Sequence, residues 1–250
     1  MKLEGSRILI VGASSGLGRA LALDLADHGA RVAMAARRGD LTAEAARQAG
    51  NDAIGLACDI TDAAACEAVV ADAVEQLGGL DALIFTAALG TIGRLEATDT
   101  DSWARSFAVN VTGASLVTRF AIPHLEATNG RAVYFSSMAG SYTEPWPGLG
   151  VYGATKAALE RMVEAWEKEH PAVGFTRFVV GPSIGDETAP SEIGREFDPE
   201  VAAAIMPTWS EMNRFGLNLV QPDDILRTVT TILTIQAVIP YVVVLPPSPS

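Results

Sequence analysis

The chain has 250 residues, 49% hydrophobic and 19% charged, enough to bury a sizeable core, and its 23 Gly and 13 Pro follow no period, which excludes a disordered or collagen-like chain. Eighteen Lys and Arg against 30 Asp and Glu leave a net charge of −12, the wrong sign for condensing onto phosphate backbones or anionic lipid, so neither nucleic acid nor a membrane is expected as a partner. Two cysteines, Cys58 and Cys66, form no CxxC pair and could close at most one disulfide, which fits a reducing compartment.

The opening Met1-Lys2-Leu3-Glu4-Gly5 is unlike a secretory signal. The apolar segment from Val229 to Leu245 is broken by threonines, Gln236 and Pro240, so no membrane span and a cytoplasmic location are expected. Short apolar or β-branched runs then alternate with stretches of helical spacing, the pattern of repeated strand–helix units around a parallel sheet. The first strand is predicted over Arg7 to Val11. A glycine-rich turn follows, then a helix from Gly16 to His28 with Leu17, Leu21 and Leu25 on one face and a stop at Gly29. Further strands are predicted at Val32 to Ala35, Ala53 to Ala57, Ala82 to Phe85 and Ala132 to Ser136, with helices near 42–49, 62–77 and 101–127. A helix from Tyr152 to Glu169, a strand from Phe175 to Val180, a helix near 223–234 and a strand from Tyr241 to Val244 complete the series. The expectation is an α/β chain, residues 1–250 as one domain, with a doubly wound, Rossmann-type sheet of seven mostly parallel strands and helices on both faces. Residues 183–215 carry Ile193, Phe197, Ile205, Met206, Trp209 and Met212, too apolar for a solvated linker, and are expected to form a lid over a pocket.

The turn Gly12-Ala13-Ser14-Ser15-Gly16-Leu17-Gly18 sits between the first strand and its helix. There glycines let backbone amides approach a pyrophosphate at the positive helix end, although the spacing is GxxxGxG and a plain tight turn is the alternative. At the end of the second strand, where an acid would take the 2′-hydroxyl of NAD, the chain reads Ala36-Arg37-Arg38. A guanidinium pair suits a 2′-phosphate, so NADP(H) is preferred over NAD(H), the alternative being two surface arginines. Asp59, after the third strand, is placed to accept from an adenine amino group or to act as a capping aspartate ahead of Thr61-Asp62. Ile60 and Ala87 beside the third and fourth strand ends, and Pro182 after the sixth, complete the expected contacts.

Tyr152 and Lys156, four residues apart at a helix start, emerge on one face. A positive charge beside a phenol favours the phenolate, which fits the pair for general acid/base work. Together with the glycine turn, Ser137 in Phe135-Ser136-Ser137-Met138-Ala139-Gly140 and Asn110 in Val109-Asn110-Val111-Thr112-Gly113, the ordered motifs closely resemble the short-chain dehydrogenase/reductase family over Arg7 to Val244. The resemblance implies hydride transfer between a carbonyl or alcohol carbon and a nicotinamide, with Tyr152 as the acid or base. Lys156 would hold the nicotinamide ribose and lower the Tyr152 pKa, Ser137 would bond the substrate oxygen, and Asn110 would position a relay water. It also implies a homodimer or homotetramer built through the helices near 101–127 and 152–169.

Three features depart from the family pattern. Phe85-Thr86-Ala87-Ala88 replaces its Asn-Asn-Ala-Gly, losing amide side chains that brace the sheet. Fifteen residues separate Ser137 from Tyr152, a longer interval that contains Pro145, Trp146, Pro147 and Gly148 and implies an altered pocket wall. Pro-Gly is inverted to Gly181-Pro182, and Thr188 is the expected carboxamide contact. Met206, Trp209 and Met212, with Trp146 and Met138, point to an apolar substrate or to a lid packed on the body. His28, His124 and His170 lack ligand spacing, so no metal is expected. An inactive dinucleotide-binding sensor or scaffold, and a lyase or epimerase on the same fold, remain the alternatives.

Overall fold

The computed structural model describes residues 1–183, 190, 197–212 and 218–247. Seven strands, β1 (Arg7–Val11), β2 (Arg31–Ala36), β3 (Ile54–Ala57), β4 (Ala82–Phe85), β5 (Arg131–Ser137), β6 (Gly174–Val180) and β7 (Tyr241–Val244), form one sheet in the order β3-β2-β1-β4-β5-β6-β7. Every pairing is parallel. The sheet is therefore fully parallel, where a mostly parallel one was expected.

Parallel strands covered on both faces read as continuous apolar runs, and Ile8, Leu9, Ile10 and Val11 of β1 are all buried. Leu9 and Val11 join the core on one side of the sheet, Ile8 and Ile10 the core on the other. The first core is closed by α3 (Ala63–Leu77), α5 (Ala114–Thr128) and α6 (Gly150–Glu169), through Val70, Val117 and Leu159 among others. The second is closed by α1 (Gly16–Asp27) and α8 (Pro222–Thr234), through Leu21, Leu25, Ile225 and Val229, with α2 (Gly39–Ala49) adding Ala45 and Ala46.

Local chemistry sets several helix starts. Asp62 precedes α3 and accepts from the Ala64 amide at 2.9 Å. Asp99 does the same for the Ser102 amide at the start of α4 (Thr100–Phe107). Pro222 opens α8, with Asp223 and Asp224 facing the positive end of its dipole.

The single helix expected over 101–127 is divided. Between α4 and α5 lies a π-helical stretch, Ala108–Gly113, that carries Asn110. Such bulges shift the side chains of one turn, and here the shift brings Asn110 to the backbone of Leu89. The expected lid contains α7 (Pro199–Met212), whose one buried residue is Ile205. Among the described residues, no helix is long and apolar enough to cross a membrane.

Candidate active site

Strand order reverses on either side of β1, and doubly wound sheets open a crevice at the carboxyl ends of the strands at that point. A cleft of about 1000 Å³ lies there, lined by Gly12 after β1, Ala36 at the end of β2, Cys58 after β3, Thr86 after β4, Ser137 ending β5 and Val180 ending β6. Of the residues picked from the sequence, Ser14, Ser15, Gly16, Leu17, Gly18, Arg37, Arg38, Asp59, Ile60, Ala87, Tyr152 and Lys156 also line it. Pro182 does not, but its neighbours Gly181 and Ser183 do. Thr188 lies outside the described residues.

The glycine turn is tight for a stated reason. Gly12 has φ +96°, and a Cβ there would sit 2.5 Å from the Ala87 amide nitrogen. At Gly18 a Cβ would meet the Gly12 carbonyl oxygen and Thr86 Oγ1, each at 2.4 Å. The turn thus presses on the residues after β4, and Thr86 supplies the brace that the missing amides would give. Its hydroxyl donates to the Val11 carbonyl at 2.9 Å, beside the amides of Thr86 and Ala87 at 2.8 and 3.0 Å.

Ser15, preceding α1, makes no side-chain cap bond, and the first turn holds no acid, so the helix start presents backbone donors to the cleft. Arg38 Nη2 donates to Ser14 Oγ at 3.0 Å and Ser15 Oγ at 3.3 Å, which ties the arginine pair to the turn. Arg37 is exposed at the rim. This donor set, glycine amides, two serine hydroxyls and two guanidinium groups, fits a phosphorylated dinucleotide. Asp59 accepts from the Thr61 amide at 3.0 Å and the Thr61 hydroxyl at 2.8 Å, and those bonds, with the nearby Arg37, hold its carboxyl below the usual range.

At the other end of the cleft, β5 brings Ser137 and α6 brings Tyr152 and Lys156. Tyr152 is half-buried and Lys156 is 2% exposed. The Lys156 ammonium donates to the Phe135 carbonyl at 2.7 Å and lies 5.7 Å from the Tyr152 ring centroid. Burial pushes the Tyr152 hydroxyl up to about 12, against a hydrogen bond with Ser137 that lowers it. Burial also lowers Lys156 to about 8, against the pull of Glu160. Desolvation dominates at Tyr152, and the Lys156 ammonium is directed to a backbone carbonyl.

Asn110 is fully buried and lies off the cleft lining. Its Oδ1 accepts from the Leu89 amide at 2.7 Å, and its Nδ2 donates to the Leu89 carbonyl and to Thr155 Oγ1, both at 2.9 Å. Thr155 in turn donates to the Tyr152 carbonyl at 2.7 Å. The side chain is filled by bonds that pin the loop after β4 and the first turns of α6.

Sequence reasoning missed Leu89, Arg105, Leu149 and Ser136 as cleft-lining residues. Leu89 and Arg105 stand in no motif and reach the cleft only through the fold. Of the apolar set assigned to the lid, Trp209 lines the cleft together with Phe197, whereas Met206 is half-exposed. Trp209 Nε1 donates to the Pro147 carbonyl at 2.7 Å, and its ring meets Trp146 edge-on at 6.1 Å, so the long segment between Ser137 and Tyr152 anchors α7.

Residues 6–192 match the model of the short chain dehydrogenase family. The chain belongs to the short-chain dehydrogenase/reductase family. It is 32% identical over 212 residues, 84% of this chain and 89% of the other, to a Xanthobacter autotrophicus protein named inactive 2-(S)-hydroxypropyl-CoM dehydrogenase 2. It is 39% identical over 172 residues, 66% of each chain, to the 2,5-dichloro-2,5-cyclohexadiene-1,4-diol dehydrogenase LinX of Sphingobium indicum. In fold it is similar to a Serratia marcescens short-chain dehydrogenase/reductase, with a TM-score of 0.82 at 24% identity over 98% of both chains. Membership places the chain in an oxidoreductase family that uses a nicotinamide nucleotide and small-molecule substrates.

Proposed function

We propose that the protein is an NADP(H)-dependent oxidoreductase that interconverts a carbonyl and a secondary alcohol. The observation that carries this reading is the convergence on one cleft of the glycine turn, the Arg37-Arg38 pair and the Ser137, Tyr152 and Lys156 side chains. The nicotinamide, when bound, supplies or accepts the hydride. The glycine turn and the start of α1 would hold the pyrophosphate, Asp59 would accept from the adenine amino group, and Ile60 and Ala87 would complete the nucleotide contacts. Arg37 and Arg38 take the 2′-phosphate, an interaction that NAD(H) does not offer.

With its hydroxyl pushed up to about 12, Tyr152 is protonated near neutral pH, the form that donates a proton to a carbonyl oxygen during reduction. Ser137 bonds the same oxygen and stabilises the charge that develops there. Lys156, charged below about 8, holds the nicotinamide ribose. Asn110 supports the site through Leu89 and Thr155, and the expected water it would position between Lys156 and solvent belongs to the same proposal. Pro182 and Thr188 would border the carboxamide. Leu89, Leu149, Phe197 and Trp209 favour a carbonyl or alcohol with an apolar body, and the name of the Sphingobium relative gives a chlorinated cyclic diol, on the alcohol side of that couple. The remaining elements of the reading are one domain with a lid over 183–215, a cytoplasmic location and a homodimer or homotetramer.

The second reading, an inactive dinucleotide-binding protein, draws on the name of the Xanthobacter relative and on Thr86-Ala87 in place of the family's amides. The intact Ser137, Tyr152 and Lys156 favour turnover. A paired titration with NADPH and NADH, followed by a panel of ketones and aldehydes, tests both. Tighter binding of NADPH with its consumption on a ketone is expected, whereas binding without consumption on any carbonyl would establish the inactive reading.

A further inference from the structure

On the helix that carries Tyr152 and Lys156 lies another charged group that the proposed reaction does not use. Glu160 follows Lys156 by one turn of α6 and is 5% exposed. A carboxylate out of water needs its lone pairs filled. Here the Ser136 hydroxyl donates to Oε1 at 2.5 Å, and the Ser141 hydroxyl donates to Oε2. These serines stand on either side of Ser137, one on β5 and one in the turn that follows it. The turn closes directly on the carboxylate, since a Cβ at Gly140 would lie 2.9 Å from Glu160 Oε1 and 3.2 Å from Lys156 Cβ. Among the described residues, the titratable groups facing Glu160 are Lys156 on its own helix and the Tyr241 phenol from β7, which also bonds Ser141.

We propose that Glu160 is a positioning residue of the active site, its buried carboxylate fixing Ser137 by gripping Ser136 and Ser141 on either side of it. The proposal rests on the reading of Ser137, Tyr152 and Lys156 as the reacting set. Ser137 ends its strand opposite Val180, and its hydroxyl accepts from the Ala139 amide at 3.2 Å, so its placement follows that of the turn between Ser136 and Ser141. The Glu160 carboxylate ties that turn to α6, so the helix that carries the tyrosine also sets the position of the serine. Its charge favours the ammonium form of Lys156 as well, against the burial that disfavours it.

The test uses Glu160→Gln, which keeps the shape and removes the charge, and Ser141→Ala, which removes one hydroxyl from an exposed turn. In Glu160→Gln, NADPH affinity should stay within about twofold, while kcat on a ketone should fall about tenfold. The high-pH limb of kcat/KM should move to lower pH, because Lys156 loses a neighbouring negative charge. Ser141→Ala should lower kcat and leave that limb in place. Wild-type values of kcat and of the high-pH limb in Glu160→Gln would overturn the proposal. If Glu160→Gln does not fold, an unchanged kcat in Ser141→Ala overturns it instead. The wild-type arm separates the two readings: no turnover on any carbonyl would remove the oxidoreductase reading and this proposal together, whereas wild-type turnover with an unaltered Glu160→Gln removes this proposal alone.

Discussion

At the residue scale, burial governs the two groups that matter most for chemistry. Tyr152 is held in its protonated form to about 12 and Lys156 in its charged form only to about 8, the forms that the proposed reduction uses at neutral pH. The reductive rate should therefore be level below pH 7 and decline as pH rises through about 8, where Lys156 loses its proton; a pH profile of kcat/KM checks this, and a rate still rising above pH 9 would contradict it. In the proposed reading Arg37 and Arg38 take the 2′-phosphate and so favour NADP(H). Arg37→Ala should weaken NADPH binding about tenfold or more and NADH binding hardly at all, the loss of a charge-assisted bond of about 1.5–3 kcal/mol, read by titrating both nucleotides. The YxxxK spacing, the Ser137 position and the arginine pair were all legible in the sequence, because each depends on local order along the chain. The direction of the Tyr152 shift was not, since it depends on what covers the ring.

At the element scale, the glycine turn and the end of β4 form one unit. Gly18 faces the Gly12 carbonyl and the Thr86 hydroxyl so closely that Gly18→Ala should cost about 1–3 kcal/mol and weaken nucleotide binding at the same time, as read by denaturant unfolding and titration. Thr86 explains why the replacement of the family's amides leaves the sheet braced: a hydroxyl on the Val11 carbonyl joins β4 to β1. Strands β1, β4 and β7 were legible to the residue, because each is a short apolar or β-branched run. The division of the 101–127 helix was not. Its π-helical stretch coincides with a contact between Asn110 and Leu89, 21 residues away, that no local pattern records. The same holds for Arg105, which reaches the cleft from α4 with no motif around it.

At the scale of the whole molecule, the parallel sheet brings loops from distant parts of the chain to one edge, and a ligand spanning that edge should tie them together. NADPH at a hundred times its dissociation constant should add about 2.7 kcal/mol, or about 5–10 °C in Tm for a chain of this size, in a thermal-shift measurement. The opposite edge holds a charge pair: Arg7 bonds Asp81 through Nε and Nη2 at 2.8 and 2.6 Å, joining β1 to the start of β4. Burial pushes Asp81 up, but the Arg7 bonds outweigh it and hold the carboxyl below its ordinary value. A depressed folded-state pKa stabilises above the unfolded value and is lost as pH falls through the folded one, so Asp81→Asn should lower stability at neutral pH by about 1 kcal/mol and flatten its loss below about pH 4. The alternation of strands and helices announced this architecture, while strand order and the reversal beside β1 came only from packing. The central claim is that Tyr152 is the proton donor in an NADPH-dependent reduction within this cleft. It is tested most directly by comparing wild type with Tyr152→Phe for NADPH affinity and for NADPH consumption on a ketone. The expected result is affinity within about twofold and turnover lower by at least about a hundredfold; a Tyr152→Phe protein that keeps most of the wild-type turnover would contradict the account.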